Sequence, residues 1–252
     1  MRRELERAAE GVARRGRVAV LTGAGISVES GIPDFRSAGG LWTRYPPQDY
    51  ATLSAFRRDP ARVWRMLAAM EEVLDAARPN PGHRALALLE EVGLVDGVIT
   101  QNIDGLHQEA GSRRVVEFHG SHRTLTCLAC GRRFHRAEAR ARGIPPPCDC
   151  RQLLKPDVVF FEERIPEAAL EESYRLAGGC RVMLVVGTSA EVAPANEMPW
   201  VARRNGALVV EVNLEPSQLT RGVTDVYLEG PAGTVLPELA QTVLELCCHC
   251  DR

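Results

Sequence analysis

Three groups of side chains in this sequence have types and spacings that could do chemistry. The first is cysteine: Cys127-Leu-Ala-Cys130 and Cys148-Asp-Cys150 form two close pairs with seventeen residues between them. Two such pairs can converge on one tetrahedral zinc with thiolate–metal bonds of about 2.3 Å, and four thiolates leave no position open for a substrate. Such a metal is structural. The second pair has only Asp149 between its cysteines, a tighter chelate than the usual two-residue gap. The second group is Gly23-Ala24-Gly25-Ile26-Ser27, which follows an apolar run. That pattern suits either a plain tight turn or a backbone brought close to a pyrophosphate at a helix start. A dehydrogenase fingerprint needs Gly or Ala at position 28, where Val28 stands, and an acid about 20 residues on, which has no clear candidate here. Hydride transfer is therefore disfavoured. The third group comprises polar residues that close other apolar runs: Thr100-Gln101-Asn102-Ile103-Asp104, Phe118-His119-Gly120, Gly187-Thr188-Ser189 and Asn213-Leu214-Glu215. A histidine with an ordinary pKa of about 6.5 suits proton transfer near neutrality.

These residues must be positioned by elements that the apolar pattern announces. Short β-branched runs at 17–22, 95–100, 115–118, 182–187, 207–212 and 225–228 are nearly continuous in hydrophobicity, as strands buried on both faces are. Helical patterns at 59–77, 83–92, 167–176 and 194–205 fall between several of them. The alternation predicts an α/β fold, a Rossmann-like doubly wound parallel sheet whose ligands bind where the strands end. Two stretches interrupt it, and both are assigned to a small inserted lobe, part helical and part zinc ribbon. The predicted sheet domain then covers 1–27, 79–122 and 152–252, and the small lobe 28–78 and 123–151.

Composition sets outer bounds. The 252 residues carry 45% hydrophobic and 25% charged side chains with a net charge of −2, which gives no electrostatic reason to expect nucleic acid or a membrane surface as partner. The basic residues are nearly all Arg, Lys155 being the one lysine. The first seventeen residues mix Arg with Glu and resemble neither a transit nor a signal peptide, and no run approaches the ~18 apolar residues of a membrane span. Paired cysteines without a secretory signal point to a reducing compartment, so a cytoplasmic location is expected. The ending Cys247-Cys-His-Cys250 reads as a partly exposed, redox-sensitive segment, because four consecutive residues point in alternating directions and cannot readily share one metal.

The ordered set Gly23-Ala-Gly-Ile-Ser27, Gly31-Ile-Pro-Asp-Phe-Arg36, Thr100-Gln-Asn-Ile-Asp-Gly-Leu-His107 and His119-Gly120 resembles the sirtuins. Leu153-Leu-Lys-Pro-Asp-Val-Val159, Gly187-Thr-Ser189, Val212-Asn-Leu-Glu215 and Gly230-Pro-Ala232 extend the resemblance over roughly residues 17–240. It implies an enzyme that consumes NAD to remove an acyl group from protein lysines, forming nicotinamide and O-acyl-ADP-ribose. By that resemblance His119 is the general base toward a ribose hydroxyl, and Asn102 shares the catalytic centre. The turn of Gly23, Ala24, Gly25 and Ser27 would approach the pyrophosphate, Asn102 and Asp104 would bond the ribose hydroxyls and the nicotinamide carboxamide, Gln101 would orient the ribose, and Ile103 would line the cofactor beside them. Asp34, Phe35, Arg36 and Trp42 would cover the cofactor. Gly187, Thr188, Ser189, Asn213, Leu214, Glu215 and Ala232 would take the phosphates and adenosine, while His107 is read as structural. Cys127, Cys130, Cys148 and Cys150 would hold the single structural zinc.

Sirtuins that remove acidic acyl groups resemble one another in a Tyr and an Arg three residues apart on a small-lobe helix. Aligning at Val63-Trp64 places Leu67 and Met70 there, which predicts an uncharged acyl group, with Val158 and Phe160 completing the substrate wall. A desuccinylase lacking the Tyr/Arg pair, a protein mono-ADP-ribosyltransferase and a zinc-ribbon module that merely senses NAD are the competing readings. Glu162 departs from the family, which commonly has Gly before Glu163. The sequence leaves the oligomeric state open.

Overall fold

The computed structural model describes residues 2–34 and 40–250, apart from the side chain of Cys250. All six apolar runs form strands: β1 (Val18–Thr22), β2 (Val95–Thr100), β3 (Val115–Glu117), β7 (Val182–Val186), β8 (Leu208–Asn213) and β9 (Val226–Glu229). They build one six-stranded sheet in the order β3-β2-β1-β7-β8-β9, parallel throughout. Chain order reverses between β1 and β7, so the carboxyl ends of β1, β2, β7 and β8 flank a crevice at the switch point.

Both faces of this sheet are covered, which explains why its strands read as unbroken apolar runs. On one face Val20, Val98, Leu184 and Val210 pack with Leu5, Leu86 and Leu239 from three helices, Arg2–Arg15, Pro81–Glu91 and Ala232–Cys250. On the other, Leu21, Ile99, Met183 and Val209 pack with Leu176 and Met198 from helices Glu167–Gly179 and Met198–Arg204. The first and last helices carry no sequence prediction of their own. Leu5, Ala8, Ala9 and Val12 nevertheless follow the helical spacing, and in the structure that stripe is what is buried. Cys247 lies on the last helix, partly buried against the core, and Cys248 on the same helix is exposed.

The second lobe is wider than the sequence boundaries. β4 (Gly120–Cys127), β5 (Arg133–His135) and β6 (Leu154–Val158) form an antiparallel sheet in the order β5-β4-β6, so both flanks of the cysteine-bearing insert belong to it. β5 and β6 have three and five residues with little β-branched sequence, and the eight-residue β4 is mostly polar, which is why the apolar pattern did not announce them. Their inner faces join the helical insert in one core: Leu125, Phe134, Leu154 and Phe160 pack with Phe56, Val63, Trp64 and Leu67. Trp64, 2% exposed on helix Pro60–Ala76, donates its indole N–H to the Leu154 carbonyl at 2.8 Å. The same helix presents Glu71 and Asp75 to Arg136 and Arg140 of the cysteine-bearing part, with Arg140 2.6 Å from Asp75. Burial raises the Glu71 carboxyl above its ordinary pKa although Arg136 and Arg140 oppose it. The two inserts thus fold as one body. Trp64→Phe puts a smaller, non-donating ring in the core and leaves the buried Leu154 carbonyl unpaired, so urea unfolding should show a loss of at least about 1–2 kcal/mol with an unchanged m-value.

Candidate active site

The crevice is built by two loop backbones in direct contact. Gly23 N–H donates to the Val186 carbonyl at 3.0 Å and Gly25 N–H to the Gly187 carbonyl at 2.8 Å. A Cβ on Gly25 would lie 2.6 Å from Gly187 Cα, and one on Gly187, whose φ is +59°, would lie 2.5 Å from Ile26 N. The glycines predicted to approach a pyrophosphate are therefore first required by loop-on-loop packing. Residues Ala24–Ser30 form a short 3₁₀ helix closed by Gly31 at φ +87°, in the left-handed region that glycine enters freely. Asn80 ties this turn down: its side chain caps helix Pro81–Glu91 through Gly82 N–H and donates to the Ile26 carbonyl at 2.7 Å.

The end of β2 meets that turn. Asn102, 8% exposed, donates both amide protons, to the Gly23 carbonyl at 3.0 Å and to Ser27 Oγ at 3.1 Å, which leaves Oδ1 as the acceptor it offers a ligand. The Ser27 hydroxyl donates to one Asp104 oxygen at 2.7 Å, and the second Asp104 oxygen accepts from Leu106 N–H at 3.0 Å. Gln101 reaches across the switch point to Thr188 Oγ1 at 3.1 Å, and Asn213 donates to the Thr188 carbonyl at 3.0 Å. One hydrogen-bonded chain thus joins the ends of β1, β2, β7 and β8. Ser189, Leu214 and Glu215 are exposed on the turns after β7 and β8, while Ala232 is buried at the start of the last helix.

His119 lies between β3 and β4, partly buried, with Nδ1 3.0 Å from the Gln101 carbonyl. A carbonyl only accepts, so Nδ1 carries the proton and Nε2 keeps its lone pair. Burial pulls the His119 pKa below the ordinary value, with the Gln101 bond opposing, so the ring is neutral at pH 7. His122 makes the equivalent bond to the Ile103 carbonyl. Two imidazoles therefore pin alternate carbonyls of the 101–103 segment.

Beneath the site lie Thr100 and His107, the latter read from sequence as structural, together with Thr22 and His83, which the sequence did not single out. Thr22 and Thr100, paired in register at the ends of β1 and β2, are joined at 2.8 Å, and Thr22 Oγ1 is 3.0 Å from His107 Nε2. His83 packs against His107 with ring centroids 4.9 Å apart. Among the described residues neither nitrogen of His83 has a partner, nor does Nδ1 of His107. The sequence signal for Thr22 was that it closes an apolar run as Thr100 does; that the two face each other is set by the register of β1 and β2.

Of the covering residues, the Asp34 backbone carbonyl accepts from Leu41 N–H at 2.9 Å and Trp42 is half-buried against the small-lobe core. Phe35 and Arg36 lie outside the described residues. Leu67 and Phe160 are inside the small-lobe core, at 6% and 4% exposure, and Met70 and Val158 pack at its edge. Phe160 is directed inward at 6.0 Å from Phe56, and its neighbour Phe161 holds the outward position, 44% exposed and 6.5 Å from Trp42. The alternation of a strand-like segment decides this, and it places the surface aromatic one residue later than expected.

The four paired cysteines converge. Their sulfurs lie within 4.8 Å of one another, with Cys127 and Cys150 at 3.4 Å and Cys130 and Cys148 at 3.6 Å, and none is in a disulfide. A regular tetrahedron with Zn–S bonds of about 2.3 Å has edges of roughly 3.8 Å, so the donor set fits zinc. The short Cys148-Asp-Cys150 chelate is steadied by turn bonds, Cys148 N–H to the Gln152 carbonyl and Arg151 N–H to the Cys148 carbonyl, and by Asp149 pairing with Arg132 and Arg142.

Two outcomes follow from this geometry. Metal analysis of the purified protein should give about one zinc per chain. Cys148→Ser should lose that zinc and lower the thermal midpoint, and a variant that keeps both contradicts the assignment. The buried histidines predict a pH effect of definite sign. Burial lowers His83 to about 4 and His107 to about 3. An unfolded chain takes up these protons below about 6.5, where the folded one does not, so stability falls as pH drops from there toward 4. Thermal midpoints between pH 7 and pH 5 should decline, and less steeply in His83→Phe; parallel profiles for the two proteins would refute this.

Comparison with known proteins places the geometry in a lineage. The Sir2 family model matches residues 23–194. An NAD-dependent protein deacylase 2 of Pyrobaculum aerophilum is 52% identical over 225 residues, covering 89% of this chain and 90% of that protein. A structure described as the structural basis for the mechanism and regulation of Sir2 enzymes superposes with a TM-score of 0.93 at 44% identity, over 98% of this chain and 100% of the other. Sir2Af2 bound to a myristoylated histone peptide superposes with a TM-score of 0.85 at 38% identity, over 99% and 100%. The six-stranded switch-point crevice, the His119–Gln101 bond and the four-cysteine cluster therefore sit in a chain that belongs to the Sir2 family.

Proposed function

We infer that this protein is an NAD-dependent protein-lysine deacylase acting on uncharged acyl groups. The observation that carries the reading is the neutral imidazole of His119, fixed by the Gln101 carbonyl with Nε2 unprotonated, beside the joined ends of β1, β2, β7 and β8. NAD, when bound, supplies the nicotinamide–ribose bond whose opening exposes the ribose carbon to the acyl oxygen of lysine. The protein's part is to bind, orient and move one proton. Ser27, Asn102 and Asp104 are pre-set by their mutual bonds to meet the nicotinamide and its ribose, at little ordering cost on binding. Thr188, Asn213 and the Gly23–Gly25 backbone, with Gly187, face the phosphates and adenosine ribose, and Leu214, Glu215, Ser189 and Ala232 complete that end. Nε2 of His119 takes the proton of a ribose hydroxyl. The zinc is structural and takes no part in the chemistry.

Leu67 and Met70 bring only apolar atoms to the acyl-lysine lobe. A carboxylate buried against them would be unpaired at a cost on the order of a few kcal/mol, so acetyl and longer uncharged acyl groups are favoured over succinyl. The surface ring of Phe161, beside Trp42, lines the approach in place of Phe160. No described helix is long and apolar enough to cross a membrane. Reduced cysteines and ordinary charge support action in the cytoplasm on acylated proteins rather than on nucleic acid. A mono-ADP-ribosyltransferase would share the nicotinamide-releasing step but pass label from NAD to protein without deacylation.

The decisive assay measures nicotinamide release from NAD with and without acetyl-, butyryl- and succinyl-lysine peptides. Release should depend on peptide, succinyl should be turned over at least about tenfold more slowly than acetyl, and His119→Ala should lose on the order of 10²-fold or more in kcat/KM. Because burial lowers the His119 pKa, the acid limb of the wild-type profile should lie below about pH 6.5. Peptide-independent release, or a succinyl preference, overturns the assignment.

A further inference from the structure

The segment that leaves β6 carries Glu162 where the family resemblance leads one to expect glycine, and the structure shows what that residue does. Glu162 has φ +73°, a backbone region that glycine enters freely and glutamate does not. Its carboxylate is fully engaged: one oxygen accepts from Ser54 N–H at 2.9 Å and the other from Ser54 Oγ at 2.9 Å. Ser54 lies in the first turn of helix Leu53–Arg58, whose start is also capped by Thr52 through Ala55 N–H. The backbones of the two segments are joined as well. Leu53 N–H donates to the Phe161 carbonyl at 3.0 Å, and Phe161 N–H to the Ala51 carbonyl at 2.9 Å.

The other end of the same segment is tied to the catalytic region, since Val159 N–H donates to the His119 carbonyl at 2.8 Å. Residues 159–162 therefore form a strap from the backbone of His119 to the helical insert. Its inner side is anchored by Glu163, which accepts from Phe160 N–H at 2.7 Å and pairs with the buried Lys155 at 2.8 Å. The Lys155 ammonium in turn sits 4.2 Å from the Phe160 ring centre. At the crest of the strap Phe161 is exposed opposite Trp42. A glycine at 162 would adopt the backbone without strain but could not reach Ser54. The chain accepts an unfavourable φ and gains two charge-assisted hydrogen bonds at the helical insert.

We propose that Glu162 is a specificity-determining positioning residue, a clasp that holds the strap bearing Phe161 against the helical insert and so keeps the mouth of the acyl-lysine channel narrow. The proposal rests on the deacylase reading and adds to it the means by which this chain discriminates short acyl groups from long ones. With the clasp in place Phe161 and Trp42 keep a fixed spacing; without it the strap is held to residues 51–53 by backbone bonds alone.

The test compares wild type with E162G, E162Q and S54A in steady-state assays on acetyl- and decanoyl-lysine peptides, with amide hydrogen exchange at Ser54. In E162G the KM for acetyl peptide should rise about fivefold while kcat and the KM for NAD stay within about twofold, since the change removes binding that is uniform along the reaction. The acetyl-to-decanoyl ratio of kcat/KM should fall about fivefold or more, the folded state remaining intact by circular dichroism. E162Q, which keeps an acceptor for Ser54 N–H, should recover part of the ratio. S54A should shift it in the same direction, and the double variant should be no worse than E162G, as expected of two groups in one interaction. Exchange of the Ser54 amide should be slow in wild type and faster in E162G. Unchanged peptide KM and acyl ratio in E162G, additive effects in the double variant, or equal Ser54 exchange in the two proteins would each overturn the proposal. Failure of the deacylase reading itself looks different: the wild type then shows no peptide-dependent nicotinamide release.

Discussion

The contact between the loops after β1 and β7 is the constraint on which the rest of the active region depends. Gly23 and Gly25 press on Gly187 so closely that no side chain fits on any of the three. That contact closes the gap at the switch point of the sheet and fixes the turn carrying Ser27. Ser27 then sets Asp104 and Asn102, Gln101 reaches Thr188, and the Gln101 carbonyl decides which nitrogen of His119 keeps its lone pair. Each bond has a definite partner because the one beneath it is rigid. The same density explains the support layer, where Thr22, Thr100, His107 and His83 are buried with few polar partners among the described residues. Such burial is unfavourable by itself, and it keeps these imidazoles neutral under the site.

The small lobe solves a different problem. Its sheet has three strands with one largely polar face and its helical insert has no second layer of its own, so neither part can bury enough apolar surface alone. Packing them together supplies one core, around Trp64, Leu125 and Leu154, and the cysteine cluster holds the far end where apolar side chains run out. Arg136 and Glu71 are mostly buried where the two parts meet, while Arg140 and Asp75 are exposed, so the inner pair fixes register and the outer one adds little stability. The lobe meets the main sheet through β4 and β6, which leave the sheet domain on either side of His119 and the 159–162 strap. Any shift of the lobe is therefore felt at His119 and at Phe161 together.

Composition, motif order and apolar periodicity determined a good deal of this protein without any coordinates. Six parallel strands were legible because burial on both faces demands unbroken apolar runs, and residues at their carboxyl ends became site candidates for the same reason. The four metal-type cysteines were legible because chelation needs close pairs. Tertiary structure alone decided the rest. β4, β5 and β6 have no marked apolar pattern, since one face of each is open or lined by polar groups, and so the lobe boundary could not be placed from sequence. Gly23 and Gly25 look alike whether they face a phosphate or another loop, and only the fold shows Gly187 against them. Phe160 and Phe161 differ by one residue in a segment whose side chains alternate, and only its pairing with Ala51 and Leu53 sets which ring faces the core. Glu162 and Ser54 are 108 positions apart, a distance across which no local pattern carries information; chain folding alone brings that carboxylate to that hydroxyl.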